Sequence, residues 1–488
     1  MSGFAQFPGC DVRAKLDHPV IDADAHVLEC EFALDDFLAQ VAGSAMVERS
    51  RARMRGNPYK FETRTIWWGV PSGKHTGDRA MAMLPKLFRA RMDEAGIDFA
   101  HCYTTNGIPG LYIGDDELRQ ATCRALNTMY ADMFNEVGDR VRPVAVIPTF
   151  TPEEAIAELD HAVLKLGHKA IMIGTEIRRP HSEIARAAPQ LAAYSESTRS
   201  IAMDAPYDYD PFWRRCVELG VAPVCHTAAR GSGYRASPTN YVFNHLGSFA
   251  QGADFFCRAL FFGGVTRRFP TLNFGFLEGG VAWAMGLLND IVEHFEKRNR
   301  DTLLATLDPA ALDVDLLARL FDEYGNAYLT GERIRAAPHH RAARPERPDP
   351  FDEFEACGMR EVADLKPLFC DNFYFGCEAD DRMMSVAFNR RLSPVGAKLK
   401  AMFGSDIGHW DVMEAKTVLS EAWSLVEGRL LTPADFRELM FVNPASLHLG
   451  MNPKYFAGTV LEDAARSLPT KGAAGRNAAT AKPATEVA

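Results

Sequence analysis

Eight short apolar segments recur along the chain, and they constrain its fold more than any other feature of the sequence. They are PVIDAD (19–24), IDFAHCY (97–103), RPVAVIP (142–148), KAIMIG (169–174), VAPVCH (221–226), LNFGFLE (272–278), NFYFGC (372–377) and KAMFGSD (400–406). Most are continuously apolar, which is typical of parallel strands covered on both faces. Segments with apolar residues about 3.6 apart, such as 115–138 and 152–167, lie between them. Eight strand-helix units predict an α/β fold, a (β/α)8 TIM barrel.

Three connections exceed the usual length of barrel loops and predict insertions after the first, fourth and sixth strands. They cover residues 27–95, 175–220 and 281–371. We expect one barrel domain over residues 19–455, an N-terminal arm over 1–18 and a C-terminal extension over 456–488. The end of this extension, KGAAGRNAATAKPATEVA, has few apolar residues, so we expect disorder from about residue 464.

Charge and composition exclude several classes of protein. The 488 residues carry a formal net charge of -10, with 47% hydrophobic and 24% charged residues. No dense run of Lys and Arg offers a surface to nucleic acid or to an anionic membrane, so we expect neither partner. We expect a cytoplasmic protein, because the sequence has no apolar run of about 18 residues and no secretory leader pattern. The ten cysteines form no Cys-x-x-Cys pair, which disfavours a thiolate metal site.

Polar residues cluster at the ends of four predicted strands. They are Asp24 and His26 on strand one, His226 on strand five, Glu278 on strand six, and Asp406 with His409 close behind on strand eight. A TIM barrel brings the C-terminal ends of its strands to one rim, where catalytic groups lie. Asp24 and His26 are two positions apart, so an extended strand projects both side chains from one face. Two imidazoles with two or three carboxylates at one rim predict a site for a divalent metal ion.

Each of these residues also has a structural interpretation. An acid at a strand end, such as Asp24 or Asp406, can cap a turn or a helix. Taken alone, His226 is more simply a hydrogen-bonded histidine of the barrel. Glu278 could stabilise the glycine turn that follows it, and His409 could lie at the surface or outside the ligand shell. Their shared position at strand ends favours the metal site over these separate explanations.

The same segments resemble a known family of metal-dependent enzymes. IDADAH (21–26), VCH (224–226) and GSDIGHWD (404–411) are similar, in that order, to elements of the amidohydrolase-related family that includes aminocarboxymuconate-semialdehyde decarboxylase. The stretch from 263 to 290 is similar to the Arg-Phe-Pro-rich lead into the family's strand six, and the resemblance covers most of residues 19–455. This resemblance implies a homodimer and four metal ligands. The ligands are Asp24, His26, His226 and Asp406.

Two positions depart from the commonest pattern of that family. Asp24 stands in place of the first His, an arrangement closer to the aromatic-acid decarboxylases of the family. Glu278 stands where a catalytic His often ends strand six. The first change keeps a metal ligand in place. The second leaves the general base open between Glu278 and Asp406.

The predicted cofactor is one divalent ion. Binuclear enzymes that resemble this family bridge two ions with a carboxylated Lys at the end of strand four. Here Lys169 lies at the start of that strand and Gly174 at its end. Imidazole and carboxylate ligands suit zinc, and manganese or iron would fit the same ligand set.

The predicted activity is hydrolysis of a small organic substrate, an amide, lactone or vinylogous acid, by metal-activated water. The expected catalytic residues are Asp406, Glu278 and His409, and the expected substrate contacts are Arg230, Arg235 and Trp410. One alternative is a nonoxidative decarboxylase of a hydroxylated aromatic or unsaturated carboxylic acid. A more remote alternative is a catalytically silent barrel that acts as a binding protein.

Overall fold

The computed structural model describes residues 7–55, 69–105, 107–227, 237–337, 351–412 and 414–469. Its barrel strands are β1 (Ile21–Val27), β2 (Phe99–Thr104), β3 (Val141–Pro143, continued by Ala145–Val146), β4 (Ile171–Ile173), β5 (Pro223–Cys225), β6 (Phe274–Phe276), β7 (Phe373–Glu378) and β8 (Lys400–Gly404). Each of the eight overlaps one of the predicted segments. The first strand is longer than expected, because it continues through His26 to Val27.

These strands form a closed parallel ring. β1 pairs with β2 and β2 with β3, and the strands from β4 to β8 pair in chain order. The two parts meet within β3, because Val141–Pro143 pairs with β2 whereas Ala145–Val146 pairs with β4. The ring closes where the Asp406 amide donates to the Asp24 carbonyl (2.9 Å) and the His26 amide donates to the Ile407 carbonyl (3.1 Å). The predicted TIM barrel is confirmed.

The first and last strands approach each other unusually closely. Every residue of β1 is buried, including the polar side chains of Asp22, Asp24 and His26. A β-carbon added at Gly404 would lie 2.7 Å from Cβ of Asp24. Behind this contact, Oδ1 of Asp22 accepts hydrogen bonds from the amides of Asp24 (3.2 Å) and Ser405 (2.9 Å). The close approach of β8 to β1 therefore sets the position of Asp24.

Helices surround the ring. Their bounds are Gly9–Arg13, Glu31–Ala42, Ser44–Arg55, Thr76–Met83, Pro85–Ala95, Asp116–Met133, Pro152–Asp160, Ser182–Ala187, Asp210–Leu219, Tyr241–His245, Ser248–Phe262, Val265–Arg268, Ala282–Arg298, Arg300–Thr302, Val314–Tyr324, Gly331–Ala336, Val418–Glu427, Pro433–Arg437, Asn443–Leu449 and Glu462–Arg466. The start of Pro152–Asp160 shows how the sequence sets such a boundary. The Thr151 hydroxyl accepts a hydrogen bond from the Glu154 amide (3.2 Å), and Pro152 occupies the first turn.

The insertions predicted after strands one, four and six are confirmed, and each has secondary structure of its own. The first contributes helices to the β1–β2 connection. The second contains an antiparallel hairpin, Ile177–Pro180 with Glu196–Arg199. The third contains Ala282–Arg298 and Val314–Tyr324. Among the described helices, none is both long enough and apolar enough to cross a membrane.

The C-terminal extension is ordered further than expected. Glu462–Arg466 forms a helix, and the structure describes the chain through residue 469. Leu461, Ala465 and Leu468 are all buried against the core. The expectation of disorder from about residue 464 is therefore wrong for the residues up to 469. Ala465 and Leu468 pack against the core, as Leu461 does, and hold this segment in place. Residues 470–488 lie outside the described part of the chain.

Candidate metal centre and active site

The barrel brings the predicted site residues to one rim. Asp24 and His26 lie on β1, His226 follows β5 directly, and Glu278 and Asp406 lie two positions beyond β6 and β8. Because all eight strands run in parallel, these positions lie at or near the C-terminal ends of the strands, where TIM-barrel active sites form. All five side chains are buried.

The donor atoms of Asp24, His26 and His226 lie within 4.8 Å of one another, and Asp406 joins this group through His26. Nε2 of His26 is 3.1 Å from Oδ1 of Asp406 and 3.6 Å from Oδ1 of Asp24. Nε2 of His226 is 3.9 Å from the same Asp24 oxygen. Ligand atoms at about 2.0–2.2 Å from a tetrahedral zinc ion are about 3.3–3.6 Å apart, which is close to these separations. The structure thus gathers side chains that the sequence places far apart.

Most of these donor atoms are buried without a hydrogen bond of good geometry among the described residues. Oδ1 of Asp24, both ring nitrogens of His26 and Nε2 of His226 make no hydrogen bond of good geometry in the described part of the chain, and the Asp406 carboxylate faces the rings of His26 and His409. Buried polar atoms are nearly always hydrogen-bonded, so such a group of orphan atoms requires a ligand. Nδ1 of His226 lies 2.8 Å from the Thr227 carbonyl, to which it donates, so Nε2 keeps its lone pair. This donor set fits a divalent metal ion.

Glu278 lies beside the same donor atoms. Its Oε2 is 3.0 Å from Nε2 of His226 and has no hydrogen-bond partner among the described residues. Glu278 and Asp406 both have left-handed backbone conformations, with φ of 58° and 53°. Such conformations are uncommon in residues other than glycine, and they persist where the surroundings enforce them, often at functional sites. The residues Glu278 and Asp406, which follow β6 and β8, therefore share a left-handed backbone conformation that the surrounding structure imposes.

Burial shifts the pKa values of most ionisable groups in the site. It raises the pKa of Asp24 well above its usual value, and the nearby Asp406 charge adds to this effect. Burial, with the charges of Asp406 and Asp24, likewise raises the pKa of Glu278. It lowers the pKa of His26 to about 4 and that of His226 to about 3. A bound cation would favour ionised carboxylates and neutral imidazoles, which are the forms that ligate metals.

Asp406 is the exception. Burial acts to raise its pKa, but His409 and His26 together hold that pKa well below the usual range. Nδ1 of His409 is 2.6 Å from Oδ1 of Asp406, and Nε2 of His409 is 3.1 Å from the Thr105 hydroxyl. The His409 ring also packs on His26, with ring centroids 4.0 Å apart. His409 is thus a buried neighbour of the centre and does not lie at the surface.

Aromatic residues line the outer side of the site. Trp410 is 40% exposed, and its ring centroid lies 5.3 Å from that of His245 and 6.1 Å from that of Tyr241. The predicted contact of Trp410 with substrate stays a prediction. Arg230 and Arg235, the other predicted substrate contacts, lie outside the described residues.

Two residues near the centre were missed by the sequence-based interpretation. His245 and Asp411 each place a donor atom within 4.8 Å of one on Glu278. Asp411 could have been found, because it lies in the GSDIGHWD segment after β8. Burial and the neighbouring Asp406 carboxylate raise the pKa of Asp411 to about 10. His245 lies in the β5–β6 connection, and no sequence pattern marks it.

Comparisons with known proteins gave one matching family model and several solved structures of similar fold. No curated protein sequence matches the chain significantly. An amidohydrolase from Mycobacterium avium subsp. paratuberculosis has a similar structure, with 17% identity, a TM-score of 0.51, and coverage of 88% of this chain and 99% of the other. The 2,6-dihydroxybenzoate decarboxylase from Rhizobium also has a similar structure, with 16% identity, a TM-score of 0.48, and coverage of 88% of this chain and 98% of the other. A manganese-bound dihydroxybenzoic acid decarboxylase from Polaromonas has 17% identity, a TM-score of 0.46, and coverage of 88% of this chain and 97% of the other.

These structural similarities concern the fold, because the identities are low. The family itself is shown by sequence. The model of the amidohydrolase family matches residues 21–328, which is more than half of the chain and includes the segments of β1, β5 and β6 that carry Asp24, His26, His226 and Glu278. The chain is therefore an enzyme of the amidohydrolase family.

Proposed function

We propose that this enzyme is a metal-dependent hydrolase of a small organic substrate, an amide, a lactone or a vinylogous acid. One observation carries the proposal. It is the group of buried donor atoms of Asp24, His26 and His226 at the barrel rim, with Asp406 3.1 Å from His26, which supports a shared metal ion. We call these four residues the four-ligand centre. One divalent ion would be held there, with zinc as the expected metal and manganese or iron as substitutes.

The ion would supply polarisation of a substrate oxygen and a lowered pKa, about 7, for a water molecule bound to it. Asp406 would accept the proton of the attacking water, because His26 and His409 favour its ionised form. His409 would orient the Asp406 carboxylate through the 2.6 Å contact between them. Asp406 is assigned as the base because it stays ionised, whereas burial favours the protonated forms of Asp24 and Glu278.

Glu278 would act as the acid that returns a proton to the leaving group. Burial and the charges of Asp406 and Asp24 favour its protonated form. Two carboxyl groups of one site whose pKa values are pushed in opposite directions are a common basis for assigning acid and base. Trp410, together with Arg230 and Arg235 outside the described residues, would contact the substrate.

The alternative reaction is nonoxidative decarboxylation of a hydroxylated aromatic or unsaturated carboxylic acid. It is favoured by the carboxylate of Asp24 at the first ligand position, as in the aromatic-acid decarboxylases that the segment IDADAH resembles. Glu278 would then protonate carbon. A catalytically silent binding barrel is the least supported alternative, because the donor set is complete.

Labelled water distinguishes the two reactions. The purified enzyme is loaded with zinc or manganese and incubated in ¹⁸O-water with a panel of amides, lactones, vinylogous acids and hydroxylated aromatic acids. Hydrolysis predicts one ¹⁸O atom in the acid product and no carbon dioxide. Release of carbon dioxide without ¹⁸O in the organic product would overturn the hydrolase proposal in favour of the decarboxylase.

The assembly of the enzyme is a separate proposal. We infer a homodimer from the family resemblance alone, because relatives commonly pair through helices outside the barrel. Sedimentation equilibrium of the full chain would test it. A mass equal to one chain at micromolar concentration would contradict the homodimer and leave the proposed chemistry untouched.

A further inference from the structure

A second group of donor atoms lies beside the four-ligand centre. His245, Glu278 and Asp411 each offer one donor atom, and these atoms all lie within 4.8 Å of one another. We call these three residues the outer cluster. They come from separate elements, namely the short helix Tyr241–His245, the end of β6 and the loop after β8. One imidazole and two carboxylates form a ligand set used by zinc and manganese.

The outer cluster contains buried polar atoms without partners. Glu278 is only 9% exposed, and its Oε2 makes no hydrogen bond in the described part of the chain. Oδ1 of Asp411 is also buried and has no hydrogen-bond partner there. Leaving such atoms unpaired is costly, so their presence indicates a ligand that the protein does not itself supply.

The charge of the rim supports a second cation. Asp24, Asp406, Glu278 and Asp411 bring four carboxylates together, and their ion pairs within the described residues involve only histidines. One divalent ion offsets the charge of two of these carboxylates, so the other two must either stay protonated or bind a second cation. A buried carboxylate needs a cation or a proton, and two divalent ions would balance all four.

The position of His245 is suited to a ligand that must hold one orientation. Its ring centroid lies 5.2 Å from that of Phe249 and 5.3 Å from that of Trp410, both in edge-on contacts. These two rings restrict the rotation of the imidazole. A ligand held in this way loses little conformational freedom when it binds an ion.

We propose that His245, Glu278 and Asp411 bind a second divalent cation beside the four-ligand centre. Glu278 would bridge the two ions, since its Oε2 lies 3.0 Å from Nε2 of His226 and a carboxylate has two oxygens. This arrangement differs from a centre bridged by a carboxylated lysine, which Gly174 after β4 excludes here. The inference rests on the proposed function for its first ion. The acid role proposed for Glu278 applies to the enzyme with one ion bound; with two ions bound Glu278 would be a ligand, and Asp406 would carry both proton transfers.

Manganese titration of the full chain tests the second site. The protein is stripped with a chelator and titrated with Mn²⁺, and binding is followed by calorimetry and by electron paramagnetic resonance. We expect two ions per chain and a spectrum of two coupled Mn²⁺ ions. His245→Ala and Asp411→Asn should keep one ion, lose the coupled spectrum and weaken the second binding step by more than about 100-fold, because loss of even an outer-shell partner costs about 10–100-fold in affinity.

The matched control is His294→Ala, which changes an exposed histidine of helix Ala282–Arg298 and should leave both ions bound. One ion in the unaltered protein, or two ions in both outer-cluster variants, would overturn the second site and leave the four-ligand centre intact. If His226→Ala abolishes the tight step while the weaker step remains, the two sites are distinguished. An unaltered protein that binds no ion would overturn both proposals.

Discussion

Oδ1 of Asp406, just beyond the last barrel strand, lies 3.1 Å from Nε2 of His26 on the first strand. This contact exists because the residues that follow β8 hydrogen-bond to β1 and close the ring. The proposed metal centre is therefore a direct product of barrel closure, and changes at this seam should affect the site and the fold together.

Loss of a ligand should remove the metal. Asp24→Ala and Asp406→Ala each delete one donor of the four-ligand centre, so we expect less than one tightly bound zinc ion per chain by elemental analysis after dialysis. His168→Gln is the control, because His168 is also buried but its Nε2 lies 2.9 Å from the Asn127 carbonyl, away from the rim. Full zinc retention in both aspartate variants would contradict the assigned ligands.

Glu278→Gln keeps the shape of the side chain and removes its proton. If Glu278 is the general acid, kcat on an identified substrate should fall by about 10²–10⁴-fold, while the ion of the four-ligand centre stays bound. Glu421→Gln is a control of equal burial, since Glu421 is also 9% exposed and accepts a hydrogen bond from the Thr417 hydroxyl (2.9 Å). An unchanged kcat in Glu278→Gln would remove Glu278 from the chemistry.

Gly404→Ala should damage both stability and the metal site. The added β-carbon would lie 2.7 Å from Cβ of Asp24, so β8 must move away from β1. We expect the free energy of unfolding to fall by about 1–3 kcal/mol, with weaker zinc binding. In contrast, Gly286→Ala in helix Ala282–Arg298 has open space around its new β-carbon and should raise stability by about 0.5–1 kcal/mol. Equal stability of the two variants in urea would show that the seam tolerates a side chain.

A histidine stack away from the site should make stability depend on pH. His448 packs against both His101 and Tyr455, with centroid distances of 4.6 and 4.2 Å, and Arg142 lies over the Tyr455 ring. Burial, with the Arg142 charge, lowers the pKa of His101 to about 3. Burial, with His101 and Arg142, also lowers the pKa of His448 well below its usual value.

The direction in which stability changes with pH depends on whether the folded or the unfolded chain binds more protons. Below about pH 6.5 the unfolded chain protonates these histidines while the folded chain does not, so stability falls as pH falls towards the folded pKa values. Each histidine contributes up to about 1.4 kcal/mol per pH unit in this range. Urea unfolding between pH 7.5 and 5 should show a shallower decline for His448→Gln than for the unaltered protein. Parallel declines would mean that His448 is not neutral in the folded state.

The sequence predicted the parts of the structure that depend on local pattern and on barrel geometry. The eight apolar segments, most of them continuous, located all eight strands. The rule that strand ends meet at one rim predicted that His26 would lie close to both His226 and Asp406, although both are far from it in the chain. His245 could not be predicted, because its position depends on how the β5–β6 connection folds. The left-handed backbones of Glu278 and Asp406 were also unpredictable, since tertiary packing imposes them against local preference.

The helix Glu462–Arg466 is a case in which a prediction from composition was wrong. The surrounding composition suggested disorder, but Leu461, Ala465 and Leu468 lie at positions that meet the core. Three well-placed apolar side chains outweighed the average polarity of the tail. Composition describes a segment as a whole, whereas burial depends on the side chains that face a neighbour.

The most direct test of the central claim is a crystal structure of the zinc-loaded protein with anomalous diffraction recorded across the zinc absorption edge. The four-ligand centre predicts an anomalous peak bonded to side-chain atoms of Asp24, His26, His226 and Asp406, each at about 2.0–2.2 Å. A zinc-loaded crystal with no peak at this rim, or with these four side chains directed away from the ion, would contradict the account.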